Sequence, residues 1–268
     1  MQQAIAILDS GVGGLTVVRE VMRQLPQEKV IYFGDTARTP YGPRQAEEVV
    51  EFTLQIVQYL TQFNPKMVVI ACNTATALAV RAIRASVTIP VLGVIHPGAR
   101  AAIKSTRNGR VGVIGTENTI KSGAYQHALQ MISPNLKVES LACPHLVPIV
   151  EQGLFRSAEA WETVRTSLAP LRTSSIDCLI LGCTHYPFLS EAISEVMGTG
   201  VKLINSAEET AREISAILYH RGQLAASGDV PVHQFFCSGD PAKFQHIAQE
   251  WLGDQIAHTP VVWQMARL

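Results

Sequence analysis

The chain has 268 residues, of which 47% are hydrophobic and 16% are charged, a balance typical of globular proteins. This length suits one large domain or two domains of about 100–150 residues each. Lysine plus arginine and aspartate plus glutamate both number 22, so the formal net charge is zero. Because the sequence has no basic stripe with interleaved aromatic residues, it does not predict a nucleic-acid partner.

The sequence also gives no sign of a membrane span or of export. No apolar run approaches the roughly 18–20 residues of a membrane span, and MQQAIAILDS at the start lacks the basic region and cleavage site of a secretory signal. The five cysteines are scattered without a C-x-x-C pair, which argues against a disulfide framework and a zinc ribbon. The histidines lack the spacing of metal ligands. We therefore expect free thiols in a reducing cytoplasm and no metal site.

Short apolar runs alternate with amphipathic stretches, which predicts an α/β fold with largely parallel strands. The predicted strands, in chain order, are residues 4–8, 30–34, 67–71, 90–95, 110–115, 137–142, 178–182, 201–205 and 234–237. The clearest predicted helices are residues 46–60 and 207–220. The strands are almost continuously apolar, which is typical of sheets covered on both faces. The remainder of the chain is expected to end in a strand and a helix.

The second series of strands resembles a repeat of the first. AIAILDSG parallels RVGVIGTEN, and PKMVVIACNTAT parallels SIDCLILGCTHY in the same order. We infer two pseudo-symmetric α/β domains, each with a mostly parallel sheet, that face each other across a cleft. The chain is expected to cross near Pro97 and to return near Ser206. The first domain would then be discontinuous, with residues 1–96 plus 207–268, and the second would span 97–206.

The first candidate site residue is Cys72, which follows the apolar run MVVI in the stretch ACNTAT. In open α/β sheets, ligands lie beyond the carboxyl ends of the strands, so this is where chemistry is expected. A helix is predicted to begin at Asn73 or Thr74, and the positive end of its dipole favours the thiolate and lowers the thiol pKa. Taken alone, however, the pattern favours an inert buried cysteine.

The stretch GCTHYP changes that interpretation. Cys183 follows its predicted strand as Cys72 does, and a helix is predicted to begin behind it with Pro187 in the first turn. Two thiols at equivalent points of facing halves meet across the cleft. Proton transfer at a stereocentre needs this arrangement, because one thiolate removes a proton from one face and the opposite thiol delivers one to the other.

Asp9 and Ser10 end the first predicted strand in ILDSGVGG, ahead of a glycine-rich turn whose N–H groups can bind an anion. The run superficially resembles a dinucleotide fingerprint, with Asp35 about 20 residues further on. Thr16 stands where the third glycine belongs, however, and a phosphate-loop lysine is absent. We therefore interpret Asp9 as a polar partner of Cys72.

The loop DTARTPYGPR follows the second predicted strand and spans residues 35–44. Its turn at Pro40 and Gly42 is expected to project Tyr41. Because the loop leaves the same sheet edge as Asp9, it is predicted to form a wall of the substrate site, although an ordinary turn would have the same composition.

Three further positions are less distinctive. His185 stands two residues after Cys183 and can tune the pKa of that thiol or carry its proton. Glu151, in VPIVEQG, follows the counterpart of the 35–44 loop in the second half, although most glutamates simply face water. Cys143 precedes a proline and is a loop residue near the cleft without a symmetric partner.

The motifs LDSGVGGLTV, DTARTPYG, ACNTATA, VIGTENTI, VEQG and LGCTHYP occur in this order. Together they closely resemble the glutamate racemases, the cofactor-independent enzymes that supply D-glutamate for bacterial peptidoglycan. The resemblance covers essentially the whole chain. The related aspartate racemases share the two-cysteine plan, but the DSGVGG and PYG stretches resemble the glutamate branch. One departure is His96 in VIHPGA, where the family frequently has a glutamate; this position bears on the domain crossing and not on the chemistry.

The resemblance implies a role for each candidate. Cys72 and Cys183 would exchange the α-proton of a small-molecule substrate, L- or D-glutamate, with no cofactor. Asp9 would assist Cys72, while His185 and Glu151 would assist Cys183. The implied substrate contacts are Asp9, Ser10, Tyr41, Gly42, Asn73, Thr74, Thr116, Thr119, Thr184 and His185.

Three alternatives stay open at this point. An aspartate racemase would have the same plan, and a thiol redox protein would form a functional disulfide between Cys72 and Cys183. A two-lobed binding protein would bind small amino acids without exchanging the α-proton, although binding does not need paired cysteines at strand ends. The sequence also leaves open whether the protein is a monomer or a homodimer.

Overall fold

The computed structural model of the chain describes residues 3–226, 228, 230–253, 260–266 and 268. The strands are β1 (Ile5–Asp9), β2 (Val30–Gly34), β3 (Met67–Ile70), β4 (Val91–Gly93), β5 (Arg110–Gly115), β6 (Lys137–Ala142), β7 (Cys178–Gly182), β8 (Lys202–Ile204), β9 (His233–Cys237) and β10 (Val261–Met265). The α-helices are α1 (Leu15–Gln24), α2 (Ala46–Thr61), α3 (Asn73–Ser86), α4 (Ile95–Ser105), α5 (Glu117–Lys121), α6 (Ala124–Ile132), α7 (Leu146–Glu151), α8 (Ala158–Leu168), α9 (Ser190–Met197), α10 (Ser206–His220) and α11 (Pro241–Leu252). Among the residues described, no helix has both the length and the apolar character needed to cross a membrane.

The larger of two sheets has the strand order β10-β9-β2-β1-β3-β4, and its neighbouring strands are parallel. On β1, Ile5 and Ile7 pack into one hydrophobic core, and Ala6 and Leu8 pack into another on the opposite face. Because successive side chains of a strand point to opposite faces, a sheet buried on both sides needs an apolar residue at every position. This is why the central strands are continuous apolar runs.

The smaller sheet has the order β6-β5-β7-β8 and is also parallel. This order repeats the arrangement β2-β1-β3-β4 of the larger sheet, which confirms the prediction of two related parallel α/β halves. The strand that precedes Cys72 and the strand that precedes Cys183 are equivalent, since β3 and β7 lie beside the first strand of their respective halves. The two cysteines therefore stand at corresponding carboxyl ends.

Most strand predictions agree with the structure to within one or two residues. The predicted bounds are those observed for the strands at residues 30–34, 110–115, 137–142 and 178–182. One prediction was wrong, because the chain does not end in a strand followed by a helix. After α11 it forms β10, which pairs with β9 at the edge of the larger sheet.

The chain passes from the larger sheet to the smaller through α4 and returns through α10, and these two helices pack against each other. The predicted crossing points, Pro97 and Ser206, lie in the first turns of α4 and α10. The division into residues 1–96 plus 207–268 and residues 97–206 stays a prediction.

Candidate active site

Cys72 lies beyond the carboxyl end of β3 and caps the N-terminus of α3. Its Sγ accepts a hydrogen bond from the backbone N–H of Ala75 at 3.4 Å and lies 3.5 Å from the hydroxyl oxygen of Ser10. Burial and the nearby Asp9 carboxylate raise the pKa of the Cys72 thiol to about 12, and the hydrogen bond from the helix end opposes this only in part. The helix end acts on this pKa in the predicted direction, but the prediction of a lowered pKa was wrong, because the sequence does not show the depth of burial.

Asp9, at the end of β1, connects the two halves of the site. Its carboxylate accepts a hydrogen bond from the backbone N–H of Gly11 at 3.0 Å and another from the hydroxyl of Thr184 at 3.2 Å. Burial raises the pKa of Asp9. Because Thr184 directly follows Cys183, a single carboxylate lies beside the chain segments that carry both cysteines.

Cys183 follows β7, and its surroundings differ from those of Cys72. The Sγ atom lies 3.6 Å from Nδ1 of His185, and Nε2 of that ring contacts Oε1 of Glu151. Burial acts to lower the pKa of His185, but the hydrogen bonds with Cys183 and Glu151 raise it well above its ordinary value. Burial acts to raise the pKa of Glu151, and the hydrogen bond with His185 brings it below its usual range. A thiol, an imidazole and a carboxylate are therefore linked in series.

The backbone after Cys183 also differs from the prediction. No α-helix begins within residues 183–189, all of which the structure describes; Tyr186–Leu189 is a 3₁₀-helix and α9 begins at Ser190. The backbone N–H groups of Tyr186 and Phe188 bond to the carbonyl oxygens three residues earlier, as in a 3₁₀ turn. Cys183 therefore does not cap an α-helix, and the positive group beside it is the imidazole.

The loop at residues 35–44 lies at the site, but Tyr41 does not project from it as predicted. The Tyr41 side chain is buried, and its hydroxyl donates a hydrogen bond to the carboxylate of Asp35 inside the same loop. The loop approaches the other half through Gly42, where an added methyl group would lie 2.9 Å from Cβ of Thr116. The backbone around Gly42 is therefore the part of the loop that borders the candidate contacts.

Three threonine hydroxyls meet between the two halves. The Oγ1 atom of Thr74 lies 2.8 Å from that of Thr116 and 3.3 Å from that of Thr119, and the last two are 3.0 Å apart. Thr74 belongs to the first turn of α3, whereas Thr116 caps α5 in the other half. All three are buried. Hydroxyl donors gathered at this point suit a carboxylate ligand.

Asn73, the first residue of α3, makes a contact that the sequence did not predict. Its Oδ1 accepts a hydrogen bond from the hydroxyl of Tyr125 at 2.6 Å, and Tyr125 lies on α6 in the other half. Nothing in the surrounding stretch KSGAYQHAL distinguishes this tyrosine from an ordinary core residue. Only the packing of the two halves brings it to the strand ends.

The assembled site is closed to solvent. Cys72 is 4% exposed and Cys183 is 6% exposed. A cavity of about 530 Å³ adjoins the site between the 35–44 loop, α7 and α11, and Glu151 and Lys243 are among its lining residues. Within the described part of the chain, no group of three or more His, Cys, Asp or Glu side chains is placed to hold a metal ion.

Known proteins resemble this chain over nearly its whole length. The family model for Asp/Glu/hydantoin racemases matches residues 11–214. Glutamate racemase from Bacillus cereus is 51% identical over 263 residues, which are 98% of this chain and 98% of that protein. The crystal structure of glutamate racemase isoform RacE1 from Bacillus anthracis matches with a TM-score of 0.94 at 50% identity, over 99% of this chain and 98% of that one. Glutamate racemase from Francisella tularensis, solved in complex with D-glutamate, matches with a TM-score of 0.88 at 32% identity, over 97% of each chain. This chain therefore belongs to the Asp/Glu/hydantoin racemase family, on its glutamate racemase branch.

Proposed function

We propose that this protein interconverts L- and D-glutamate without a cofactor and that Cys72 and Cys183 are its two acid/base groups. The observation that carries the proposal is the pair of buried thiols behind equivalent strands, with the Asp9–Thr184 hydrogen bond between their chain segments. The relatives support the substrate, because the Bacillus cereus protein is a glutamate racemase and the Francisella tularensis structure holds D-glutamate.

In the proposed reaction, one thiolate takes the α-proton of L-glutamate and leaves a planar carbanion. The thiol on the opposite face then gives its proton to the same carbon, so that D-glutamate forms. The first sulfur ends the turnover as a thiol and the second as a thiolate. D-glutamate uses the pair in the reverse direction.

The two thiols reach the thiolate state by different means. Asp9 is a buried carboxylate next to Cys72, so it is the natural partner of the substrate's α-ammonium group. Once paired with that cation, Asp9 no longer disfavours the negative charge on sulfur, and the pKa of Cys72 falls. On the other face, the raised pKa of His185 keeps a proton on the ring, and this imidazolium lies 3.6 Å from Sγ of Cys183, where it offers a positive charge to a sulfur that gives up its proton.

The α-proton of an amino acid is a weak acid, so the developing carbanion needs preorganised hydrogen-bond donors. Removing one such donor typically costs about 2.7–4 kcal/mol in the transition state. A closed site that excludes water strengthens these interactions. The proposed contacts are Ser10, Asn73, Thr74, Thr116, Thr119, Thr184 and His185, together with the backbone at Tyr41 and Gly42.

We place this reaction in the cytoplasm, where its D-glutamate would supply peptidoglycan synthesis. Because both cysteines are nearly inaccessible, glutamate reaches them only when the two halves separate. We propose that the halves are residues 1–96 plus 207–268 and residues 97–206. The cavity beside Glu151 is the wide part of that route.

The first test is α-proton exchange in D₂O, followed by NMR and by optical rotation, with no added cofactor. The expected result is deuterium at Cα and loss of optical rotation from both L- and D-glutamate. L- and D-aspartate, run in parallel, separate this substrate from that of an aspartate racemase. Absence of exchange with all four amino acids would refute the proposal and favour a redox or binding protein.

The two-base scheme is tested with single variants. Cys72→Ala and Cys183→Ala are each expected to abolish racemisation, because a single thiol reaches only one face of Cα; each retains at most proton exchange with one enantiomer. Cys178→Ala is the matched control, since this thiol is buried inside β7 and contacts the carbonyl oxygen of Ala102 at 3.9 Å. Full racemase activity in Cys183→Ala would exclude the scheme.

A further inference from the structure

Tyr125 touches the residues that adjoin both cysteines. Its hydroxyl donates to Oδ1 of Asn73, the residue after Cys72, at 2.6 Å. Its ring packs against Gly182, the residue before Cys183, where an added methyl group would lie 3.1 Å from Cε2. The tyrosine is 2% exposed, so both contacts are shielded from water. Tyr125 therefore spans the two strand ends from the core side of the site.

The hydrogen bond determines which end of the Asn73 amide faces the cleft. Ser206 lies on the other side of the Tyr125 hydroxyl; burial raises the pKa of this phenol, and the hydrogen bond from Ser206 acts in the opposite direction. The phenolic proton is donated to Oδ1 of Asn73. A flipped amide would place an N–H group against that same proton. The orientation of the amide is therefore set by its neighbours.

With Oδ1 bound to Tyr125, the amide nitrogen of Asn73 points away from it. Among the residues that the structure describes, this nitrogen has no hydrogen-bond partner. Two N–H donors therefore remain at the first turn of α3, directly after Cys72. They are of the kind that a carboxylate with developing carbanion charge requires.

The hydroxyl of Tyr125 lies next to α4 and α10, the two helices through which the chain passes between the halves. A methyl group on Gly98, in the first turn of α4, would lie 3.2 Å from this hydroxyl oxygen and 3.1 Å from Cβ of Ser206. Ser206 is the first residue of α10. The donor at Asn73 is thus oriented by a group that sits between the two helices joining the halves.

We infer that Tyr125 is a positioning residue for racemisation, which holds the Asn73 amide so that its N–H groups face the substrate carboxylate. This inference rests on the proposed racemase function. Tyr125 is not itself an acid or base, since its proton is committed to Asn73 and burial keeps the phenol neutral. The effect of its hydroxyl passes through Asn73, whereas its ring packs against Gly182, so Tyr125→Phe separates the positioning role from a structural one.

The test is a double-mutant cycle of Tyr125→Phe and Asn73→Ala, with kcat and KM measured for both enantiomers. Tyr125→Phe keeps the ring and is expected to lower kcat/KM about tenfold, the equivalent of one lost orienting hydrogen bond. The loss is expected mainly in kcat, because the carboxylate gains charge in the transition state. In the Asn73→Ala background, Tyr125→Phe is expected to have no further effect. A tyrosine that only stabilised the fold would lower activity equally in both backgrounds.

A second variant and a control keep the outcome clear. Ser206→Ala removes the hydroxyl of the residue that lies with the phenol against Gly98 and is expected to reduce kcat/KM in the wild-type background only, which tests the inference even if Tyr125→Phe unfolds. Thr210→Val removes a buried hydroxyl that donates to the Ser206 carbonyl at 2.7 Å, in the same turn of α10, and is expected to leave kcat/KM unchanged.

Failure of the inference is distinguishable from failure of the proposed function. A wild-type protein that exchanges no α-proton would refute the function. With an active wild type, the inference is overturned if Tyr125→Phe retains full activity. It is also overturned if either that variant or Ser206→Ala lowers the activity of Asn73→Ala by the same factor as that of the wild type.

Discussion

Glu151→Gln is expected to change the pH range over which the enzyme works while leaving the fold intact. The substitution keeps the shape of the side chain and removes the negative charge that contacts Nε2 of His185. In the wild type, the raised pKa of His185 keeps the ring protonated, and activity that depends on the imidazolium is lost as the pH rises through that value. Without the carboxylate the pKa of His185 falls, so the loss begins at a lower pH.

The magnitude follows from the geometry of this pair. The Glu151 side chain is 22% exposed and that of His185 is 3% exposed, so their interaction is only partly screened. An opposite charge at contact distance shifts a pKa by about 1–3 units, and each unit corresponds to about 1.4 kcal/mol. We therefore expect the pKa of His185 to fall and kcat/KM at mildly basic pH to decrease about 10- to 100-fold.

The assay measures kcat/KM for D-glutamate as a function of pH, with racemisation followed by the change in circular dichroism of the substrate. Glu162→Gln is the matched control: it removes a carboxylate from the same half, but that carboxylate is exposed and paired with Arg165 on the surface of α8. The basic limb of the profile should move to lower pH in Glu151→Gln and stay in place in the control. A basic limb that does not move in Glu151→Gln would show that this carboxylate does not set the charge of His185.

A buried ion pair, a close packing contact and the raised pKa of Cys72 lead to three further predictions. Lys66→Met is expected to lower the free energy of unfolding in urea by about 3–5 kcal/mol, because the buried Glu28 carboxylate loses its cation; adding Glu28→Gln should recover part of this loss. Gly13→Ala is expected to lower kcat/KM about tenfold, since a methyl group there collides with Thr184 of the other half; an unchanged rate would contradict that packing. Cys72, with its pKa near 12, is expected to react slowly with iodoacetamide at neutral pH, and rapid labelling in peptide mass spectrometry would disprove the shift.

The fold was predictable from the sequence wherever a strand is buried on both faces. The run RVGVIG and the run CLILG predicted β5 and β7 with the bounds observed, because burial on both sides leaves an unbroken apolar signal. β10 was missed because it is an edge strand whose side chains are half-buried or exposed, with Gln264 among them. Such a strand is held by pairing with β9, and the sequence does not show that partner.

The sequence predicted only those features of the site that follow from where the strands end. The sequence placed Cys72 and Cys183 correctly behind equivalent strands, since that position depends on local order alone. The hydrogen bond between Asp9 and Thr184, and the contact of Tyr125 with Asn73, depend on how the two sheets are oriented relative to each other. That orientation is a property of the whole packed molecule. The predicted direction of the Cys72 pKa was wrong for a similar reason, because burial also depends on the whole packed molecule and not on local sequence.

The fold is pseudo-symmetric, but the chemistry at its two thiols is not. In the proposed reaction, β3 and β7 deliver the two sulfurs to opposite faces of one carbon. A carboxylate lies beside Cys72, and an imidazole–carboxylate pair lies beside Cys183. This difference is compatible with racemisation, since two enantiomers have equal free energies and kcat/KM must be the same in both directions. The assisting groups therefore need not match. The only constraint is that the overall barrier, measured from free enzyme and substrate, is the same in both directions. Repetition of the fold supplies the geometry, and residues at the end of β1, after β7 and on α7 are free to supply charge by different means.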